Sequence, residues 1–264
     1  MKFTGRIAVL LPIVSSRKLT SHLVLGKEKP FVDFIESCRR HPFADYHPDI
    51  RVYACHYQAE KFCGDIYEKL TFDEPEHIRK AVTKRRAEFL AGRIAAMVAL
   101  ESLDAREVGV ATGTHRNPIW PQGYLGSISH TSERALAVVA PEGSVTYVGI
   151  DHEAMIPMNV ATKIAPQILN SDEMQLYYQL SIDFDQFCTI VFSVKESVFK
   201  AIYPKVERYI NFSEARVTQI CVEKQRFELE LCSTLLRDEL PAGKVFHGCL
   251  LIYAHSITTL ICMH

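Results

Sequence analysis

The sequence predicts an α+β fold, in which helices combine with antiparallel strands rather than with a doubly wound parallel sheet. Apolar residues recur near helical spacing over residues 75–103 and again over 187–202. The C-terminal part instead alternates charged and apolar residues over 226–232, and residues 245–253 and 256–262 are rich in β-branched side chains. Short turns separate these strand-like segments, which indicates hairpins and therefore antiparallel pairing.

In the first half of the chain, one long helix is predicted beside several strands. Residues 75–103 contain good helix formers, with Pro75 suited to the first turn and Val82 and Phe89 on the predicted apolar face. Strands are predicted after it at 125–129, 135–140 and 145–151. Weaker patterns precede it, namely strands at 7–14, 23–25 and 52–57 and a short helix at 30–37.

The second half shows clearer helix boundaries. Asn170 is placed to cap a helix that runs to about residue 180, and Glu173 occupies the capping-box position. The helix at 187–202 is predicted to end at Pro204. We expect the two halves to cover residues 1–145 and 146–264.

Composition excludes several classes of function. The chain has 264 residues and a formal net charge of −1, so the molecule as a whole is no electrostatic partner for nucleic acid. No stretch approaches the roughly 20 apolar residues that a membrane helix needs. The eight cysteines include no C-x-x-C pair, which favours reduced thiols in a cytoplasmic protein and leaves a disulfide as the open alternative.

Two carboxylates follow an apolar strand in the segment V-G-I-D-H-E at 148–153. Side chains two apart on a strand point to the same face, so Asp151 and Glu153 are expected side by side, with His152 facing away. Adjacent carboxylates repel one another unless a proton or a cation separates them, and Mg²⁺ prefers oxygen ligands. The segment therefore predicts a divalent-cation site, with a solvated strand end as the alternative.

The helix at 187–202 contains a second acidic candidate. Glu196 and Lys200 lie four residues apart and share a helix face. One interpretation is a surface ion pair of small energetic value. The other makes Glu196 a third metal ligand or a base, with Lys200 beside a phosphate.

Two further groups are suited to phosphate oxygens. Ser129 and His130 offer donors at a strand end, although a plain polar strand end is the alternative. Arg86 and Arg93 lie seven residues apart and share a helix face, and Arg116 lies in a later loop. A solvated basic face is the alternative for these arginines.

Taken together, these features resemble the 4′-phosphopantetheinyl transferases of the large single-chain type. The resemblance covers about residues 75–210 and rests on segments that occur in the family's order. They are K-R-R-A-E-F-L-A-G-R-I-A-A at 84–96, P-I-W-P at 118–121, G-S-I-S-H at 126–130, G-I-D-H-E at 149–153 and F-S-V-K-E-S-V-F-K at 192–200. The wording of the first two looks closest to the subgroup that serves enterobactin-like siderophore assembly lines. His152 departs from the family, where an apolar residue is more frequent.

The resemblance implies a fold and a set of site residues. The fold is two similar α/β halves related by a pseudo-twofold axis, with coenzyme A in the cleft between them. Asp151, Glu153 and Glu196 are implied as the ligands of Mg²⁺. Glu196 and Lys200 are implied as the catalytic residues, with a metal-bound water as the other candidate for the base. The implied contacts to coenzyme A are Arg86, Arg93, Arg116, Ser129, His130 and Lys200.

The implied reaction transfers the 4′-phosphopantetheine group from coenzyme A to a serine of an apo carrier protein and releases 3′,5′-ADP. Peptidyl or aryl carrier domains of nonribosomal siderophore synthesis are the expected partners, and acyl carriers stay open. The protein is expected to act as a cytoplasmic monomer without nucleic acid or a membrane span. A non-catalytic coenzyme A or acyl-coenzyme A binding protein of the same fold is the alternative.

Overall fold

The computed structural model describes residues 34–70 and 72–264, and two antiparallel sheets with one long helix each form its framework. In these residues the helices are α1 (Ile66–Lys69), α2 (Glu76–Arg79), α3 (Thr83–Glu101), α4 (Met158–Ile168), α5 (Ser171–Tyr178) and α6 (Phe184–Val206). The strands are β1 (Ile35–Arg40), β2 (Arg51–Tyr57), β3 (Ala111–Thr112), β4 (Pro118–Ile119), β5 (Tyr124–His130), β6 (Arg134–Pro141), β7 (Tyr147–Ala154), β8 (Ala215–Cys221), β9 (Arg226–Leu231), β10 (Val245–Ile252) and β11 (Ser256–Met263).

The first sheet has the strand order β1-β2-β6-β5, and every neighbouring pair is antiparallel. Helix α3 packs on one face of it, where Leu90 and Ile94 join Ala137 and Val139 of β6 in a buried apolar cluster. A two-stranded ribbon of β3 and β4 connects α3 to the sheet. The long helix therefore covers one face of an antiparallel sheet.

The second sheet has the order β7-β11-β10-β9-β8 and is also antiparallel throughout. Helix α6 covers one face of it, with Val191 and Val198 buried beside Ile257. Alternate residues of β7 point the other way, so Val148 and Ile150 pack in a third cluster that includes residues of β2 and β6. The two sheets therefore face each other across an apolar layer, which confirms the α+β class. The twofold relation between the halves stays a prediction.

Gly149 allows helix α6 to lie directly against strand β7. A Cβ atom at this position would collide with the carbonyl oxygen of Ser197 and with the backbone and side chain of Ala201. Only a residue without a side chain lets the helix backbone approach this closely. This contact brings the acidic residues of β7 next to the polar residues of α6.

The predicted helix at 75–103 is wrong as one element, because the chain breaks between α2 and α3. Val82 is extended and 73% exposed rather than part of the apolar face. Glu74 pairs with Arg86, and these residues would stand roughly 18 Å apart along a continuous helix. The ion pair therefore requires the break, and it directs α2 alongside α3.

Two other boundaries differ from the prediction. Pro204 lies inside the last turn of α6, which continues to Val206 and ends at Glu207 in a left-handed conformation. One proline near the end removes a single helical hydrogen bond, which the preceding packed turns tolerate. Of the helix predicted at 30–37, residues 30–33 lie outside the described residues and Phe34 is helical. Residues 35–37 instead belong to β1, where pairing with β2 overrides weak helical periodicity.

Several predictions are confirmed. The strands predicted at 52–57, 125–129, 135–140 and in the C-terminal part are present, and Asn170 and Glu173 form both hydrogen bonds of a capping box. All eight cysteines are free thiols, but Cys38 and Cys55 lie opposite each other on β1 and β2 with their sulfur atoms 2.6 Å apart, so the disulfide alternative stays open for this pair. None of the helices in the described residues combines the length and apolar content that crossing a membrane requires. The strands predicted at 7–14 and 23–25 lie outside the described residues.

Gly149→Ala is expected to destabilise the fold, because the added methyl group forces α6 away from β7. Overpacking of this kind costs about 1–3 kcal/mol of the free energy of unfolding. Chemical denaturation of the purified variant measures the loss. Gly109→Ala is the matched control, since a Cβ there meets no atom within 4 Å. Equal stability of the two variants would show that the approach of α6 to β7 is not limited by Gly149.

Candidate active site

The edges of the two sheets meet where β5 lies against β7. The hydroxyl of Ser129 accepts a hydrogen bond from the backbone N–H of His152 at 3.1 Å and donates to Asp151 Oδ1 at 3.0 Å. Two residues earlier on β5, the hydroxyl of Ser127 donates to the carbonyl oxygen of Ile150 at 3.4 Å. Serine side chains therefore join two edge strands that would otherwise present unpaired backbone groups.

Asp151 is fully buried at this junction and is paired with a cation from α6. Lys200 Nζ lies 2.5 Å from Asp151 Oδ1 and 3.2 Å from the hydroxyl of Ser129. Burial lowers the pKa of Lys200, but Asp151 and the other nearby carboxylates outweigh this effect and raise the pKa overall. Lys200 therefore remains a cation, with 29% of its side chain exposed to solvent.

Glu153 and Glu196 complete an acidic region around Asp151. Burial raises the pKa of Glu153 to about 8, and the neighbouring Asp151 and Glu196 add to the rise. Burial also raises the pKa of Glu196, with Lys200 opposing and Asp151 reinforcing the shift. The charged forms of Glu153 and Glu196 are therefore disfavoured by burial and by the neighbouring Asp151, as the D-x-E pattern predicts for carboxylates on one strand face.

The acidic residues fit a divalent cation by their chemistry. In the residues that the structure describes, Asp151 Oδ2 is buried without a hydrogen-bond partner, and the neighbouring groups Glu153 and Glu196 have raised pKa values. A cation that took these oxygens would relieve both effects. No three His, Cys, Asp or Glu side chains in residues 34–70 and 72–264 form a ready-made metal cluster, so the three are not preassembled as a cage.

His152 faces away from Asp151, as the alternation of a strand requires. Its Nδ1 lies 2.8 Å from the hydroxyl of Thr258 on β11, and the ring is buried. Burial lowers the pKa of His152 to about 4, and Arg134 contributes to the same effect. The neutral imidazole therefore belongs to the packing between the two sheets.

His130 lies at the end of β5 beside an arginine that sequence reasoning missed. Arg85 Nη1 lies 2.6 Å from His130 Nε2. Burial lowers the pKa of His130 to about 4, with Arg85 and Lys200 adding to the effect, so the ring is neutral and accepts from the guanidinium at Nε2. The positive charge at this end of the site comes from Arg85, whose side chain is 44% exposed.

Arg86 points away from this group. Its Nε and Nη2 donate to both carboxylate oxygens of Glu74, at 2.6 and 3.0 Å, and its guanidinium lies over the rings of Phe62 and Tyr67. Helical phase alone could not separate Arg85 from Arg86. The missed signal is Glu74, an acidic residue upstream that selects one of two adjacent arginines as its partner.

The other two arginines also lie apart from Ser129 and Asp151. Arg93 is buried, donates to Ala111 O and Thr112 Oγ1 at 3.2 Å each, and packs over the ring of Phe89. Burial lowers the pKa of Arg93 to about 10. Arg116 is exposed in the turn between β3 and β4, with a left-handed φ of 65°. The structure therefore brings Ser129, His130, Asp151 and Lys200 together but not the three predicted arginines.

Comparison with known proteins gives two family matches. Residues 73–140 match the 4′-phosphopantetheinyl transferase N-terminal domain, and residues 147–244 match the 4′-phosphopantetheinyl transferase superfamily. Enterobactin synthase component D of Salmonella typhi is 37% identical over 179 residues, which cover 68% of this chain and 71% of that protein. The protein of the same name from Salmonella typhimurium strain LT2 is 39% identical over 183 residues, with the same coverage.

The chain belongs to the 4′-phosphopantetheinyl transferase superfamily. A more distant relative, the 4′-phosphopantetheinyl transferase PptT of Mycobacterium tuberculosis, is 32% identical over 148 residues, which cover 55% of this chain and 63% of that protein. The relatives confirm the resemblance to the subgroup named for enterobactin synthase. In this phosphopantetheinyl transferase, the two family matches meet between β6 and β7.

The two adjacent arginines are expected to respond differently to substitution. Arg86→Met should cost about 2 kcal/mol of stability, because it leaves Glu74 without its charged partner, and should barely change the KM for coenzyme A. Arg85→Met should leave stability nearly unchanged and raise that KM about tenfold, because it removes an exposed cation beside His130. Denaturation and steady-state kinetics on both variants make the comparison. The reverse pattern would assign the site to Arg86.

Binding of a divalent cation is expected to release protons near neutral pH. Glu153 holds its proton below about pH 8, whereas a metal ligand must be deprotonated. Affinity for Mg²⁺ should therefore rise as the pH is raised from about 6 to 8, by up to about tenfold per pH unit for one proton. Calorimetric titration in two buffers of different ionisation enthalpy measures the release. Glu153→Gln should reduce it, and pH-independent affinity in the wild type would contradict the expectation.

Proposed function

We propose that this phosphopantetheinyl transferase depends on Mg²⁺ and modifies carrier domains of nonribosomal siderophore synthesis as a cytoplasmic monomer. The family reaction transfers 4′-phosphopantetheine from coenzyme A to a serine of an apo carrier protein and releases 3′,5′-ADP. The enterobactin synthase names of the Salmonella relatives support the siderophore pathway. We assign residues 1–145 and 146–264 to two halves with the active site at their junction.

One observation above all supports this assignment. Ser129 of the first half, Asp151 of β7 and Lys200 of α6 meet through hydrogen bonds at the contact between the sheets. Glu153 and Glu196 lie within electrostatic range of Asp151. A coenzyme A binding protein without catalysis would gain nothing from three carboxylates beside an anionic ligand, since like charges repel.

Each of the site residues has a defined role in this proposal. Asp151, Glu153 and Glu196 would hold the cation, which when bound supplies positive charge to phosphate oxygens. Lys200 and Arg85 bind and orient the pyrophosphate, because they are the partly exposed cations of the site. The serine oxygen of the carrier attacks the β-phosphorus, and the bond to the leaving 3′,5′-ADP breaks in line.

The proton of the attacking serine needs an acceptor, and Glu196 is our candidate. Burial raises the pKa of Glu196, which brings its carboxylate closer to the range of an effective general base at neutral pH. A group of this kind contributes about 10² to 10⁴ in rate when it is well placed. Near-normal turnover of Glu196→Gln at saturating Mg²⁺ would exclude it as the base.

The surface beside the acidic residues suits a carrier domain. Helix α4 begins four residues after the end of β7, and Met158 and Val160 on it are 47% and 39% exposed. Lys163 is also exposed on this helix. Exposed apolar side chains with a nearby cation suit an acidic helical partner.

The deciding experiment incubates the protein with coenzyme A, Mg²⁺ and an apo peptidyl carrier domain. Intact-mass spectrometry should show the phosphopantetheine adduct on the carrier. Asp151→Ala should lower kcat/KM more than about 100-fold, because it removes a metal oxygen and the partner of Lys200. Glu223→Ala, which removes an exposed carboxylate in the turn after β8, is the control and should retain activity.

Each outcome separates the candidate functions. Failure to modify any apo peptidyl, aryl or acyl carrier, with coenzyme A still bound, would favour the non-catalytic binding protein. Modification of acyl carriers alone would keep the reaction and refute the siderophore assignment. Full activity in the presence of a chelator would refute the dependence on Mg²⁺.

A further inference from the structure

A second lysine of α6 is held in an ion pair that the proposed reaction does not use. Lys195 Nζ lies 2.8 Å from a carboxylate oxygen of Glu173, and their side chains are 1% and 0% exposed. This pair lies inside the second half of the molecule. Neither group can touch coenzyme A or a carrier, so its contribution must come through other residues.

Glu173 connects three elements at once. One oxygen, Oε2, accepts from the backbone N–H of Asn170 at the start of α5 and from Lys195, both at 2.9 Å. The other, Oε1, accepts from the backbone N–H of Val217 in β8 at 2.8 Å. A capping box alone needs only the first of these bonds, so Glu173 does more than begin a helix.

The ammonium group of Lys195 also uses its full hydrogen-bonding capacity. Besides Glu173, its ammonium group donates to the carbonyl oxygen of Ile168 at the end of α4, at 2.8 Å, and to that of Phe212, at 3.1 Å. All three ammonium protons therefore have acceptors. The pair ties α4, α5, β8 and the segment before β8 to a single point on α6.

Stability alone does not explain a pair of this kind. Burial lowers the pKa of Lys195, and Glu173 opposes the shift, which shows the cost of placing the charge there. Well-packed apolar residues in place of a buried ion pair usually leave a protein equally or more stable. Three hydrogen bonds from Lys195 define both the rotation and the position of helix α6. Apolar packing would fix that geometry less sharply.

The part of α6 that this ion pair holds in place lies next to the active site. Lys195 precedes Glu196 directly, and Lys200 follows one turn further along the same helix. On the face of α6 toward the second sheet, the hydroxyl of Ser193 lies 2.9 Å from that of Thr259, which pairs with Asp151 across β11 and β7. A small rotation of α6 would therefore change the distance between Glu196 and Asp151.

We propose that Glu173 and Lys195 are positioning residues that fix the rotation of α6 and so place Glu196 and Lys200 against Asp151. The kinetic part of this inference rests on the proposed function, whereas its geometric part does not. A displacement of about 1 Å at a catalytic group is enough to cost about 100-fold in rate.

The test uses the nearly isosteric double variant Glu173→Gln/Lys195→Met, which removes both charges together. Its crystal structure should show the Glu196 carboxylate displaced by about 1 Å or more relative to Asp151. The value of kcat should fall about 100-fold with a smaller change in the KM for coenzyme A, because Arg85 in the first half is untouched. Affinity for Mn²⁺, measured by electron paramagnetic resonance, should fall about tenfold.

Leu231→Ala is the matched control, because it removes a fully buried side chain of β9 in the same half without touching the pair. It should lower the unfolding temperature more than the double variant does, while kcat and Mn²⁺ affinity stay near the wild type. Equal losses of kcat and Mn²⁺ affinity in this control would overturn the proposal, since they would follow from lost stability alone.

The crystal structure decides the geometric claim whatever the activity. A Glu196 carboxylate within about 0.5 Å of its wild-type position would overturn the proposal. Displacement together with a wild-type protein that transfers nothing would refute the proposed function and keep the positioning role. If the double variant does not fold, Glu173→Gln alone, which retains an acceptor oxygen, is judged by the same displacement.

Discussion

The contact between strands β5 and β7 is the constraint on which the site depends. Both are edge strands of their sheets, and edge strands leave backbone groups unpaired. Here the hydroxyls of Ser127 and Ser129 pair with the backbone of Ile150 and His152, so side chains replace the missing ladder. Because Ser129 also donates to Asp151, the hydrogen bonds that join β5 to β7 also hold the buried carboxylate of Asp151.

Helix α6 binds two buried carboxylates through two lysines, and the difference between the pairs separates structure from chemistry. Lys195 and Glu173 are saturated and almost fully enclosed, so this pair has no capacity left for a ligand. Lys200 is partly exposed, and its partner Asp151 keeps one buried oxygen without a hydrogen bond. A buried charge whose hydrogen bonds are all made is held in one geometry. A buried charge that lacks hydrogen-bond partners instead favours the binding of a cation or an anion.

Those features of the site that follow from residue spacing along one strand or one helix could be predicted from the sequence. The period of two in a strand correctly placed Asp151 and His152 on opposite faces, and the capping box at Asn170 follows from three-residue spacing. Partners far apart in sequence could not be found this way. The sequence predicts Arg86 as a ligand contact, whereas in the structure Arg86 pairs with Glu74 across a helix break that helix propensity does not indicate. The contact of Lys195 with Glu173, 22 residues earlier, depends in the same way on tertiary packing.

The hydrogen bonds of Ser129 also restrict how the site can recognise phosphate. A serine hydroxyl has one proton, and Ser129 donates it to Asp151 while it accepts from Lys200 and the backbone of His152. Donation to a phosphate oxygen would therefore release Asp151 from the junction. Arg85 has no such limit, since a guanidinium has five donors and only the Nη1 group is used, by His130 and Glu88. In the proposed reaction, we therefore assign recognition of the pyrophosphate mainly to Lys200 and Arg85, whereas Ser129 holds the carboxylate of Asp151.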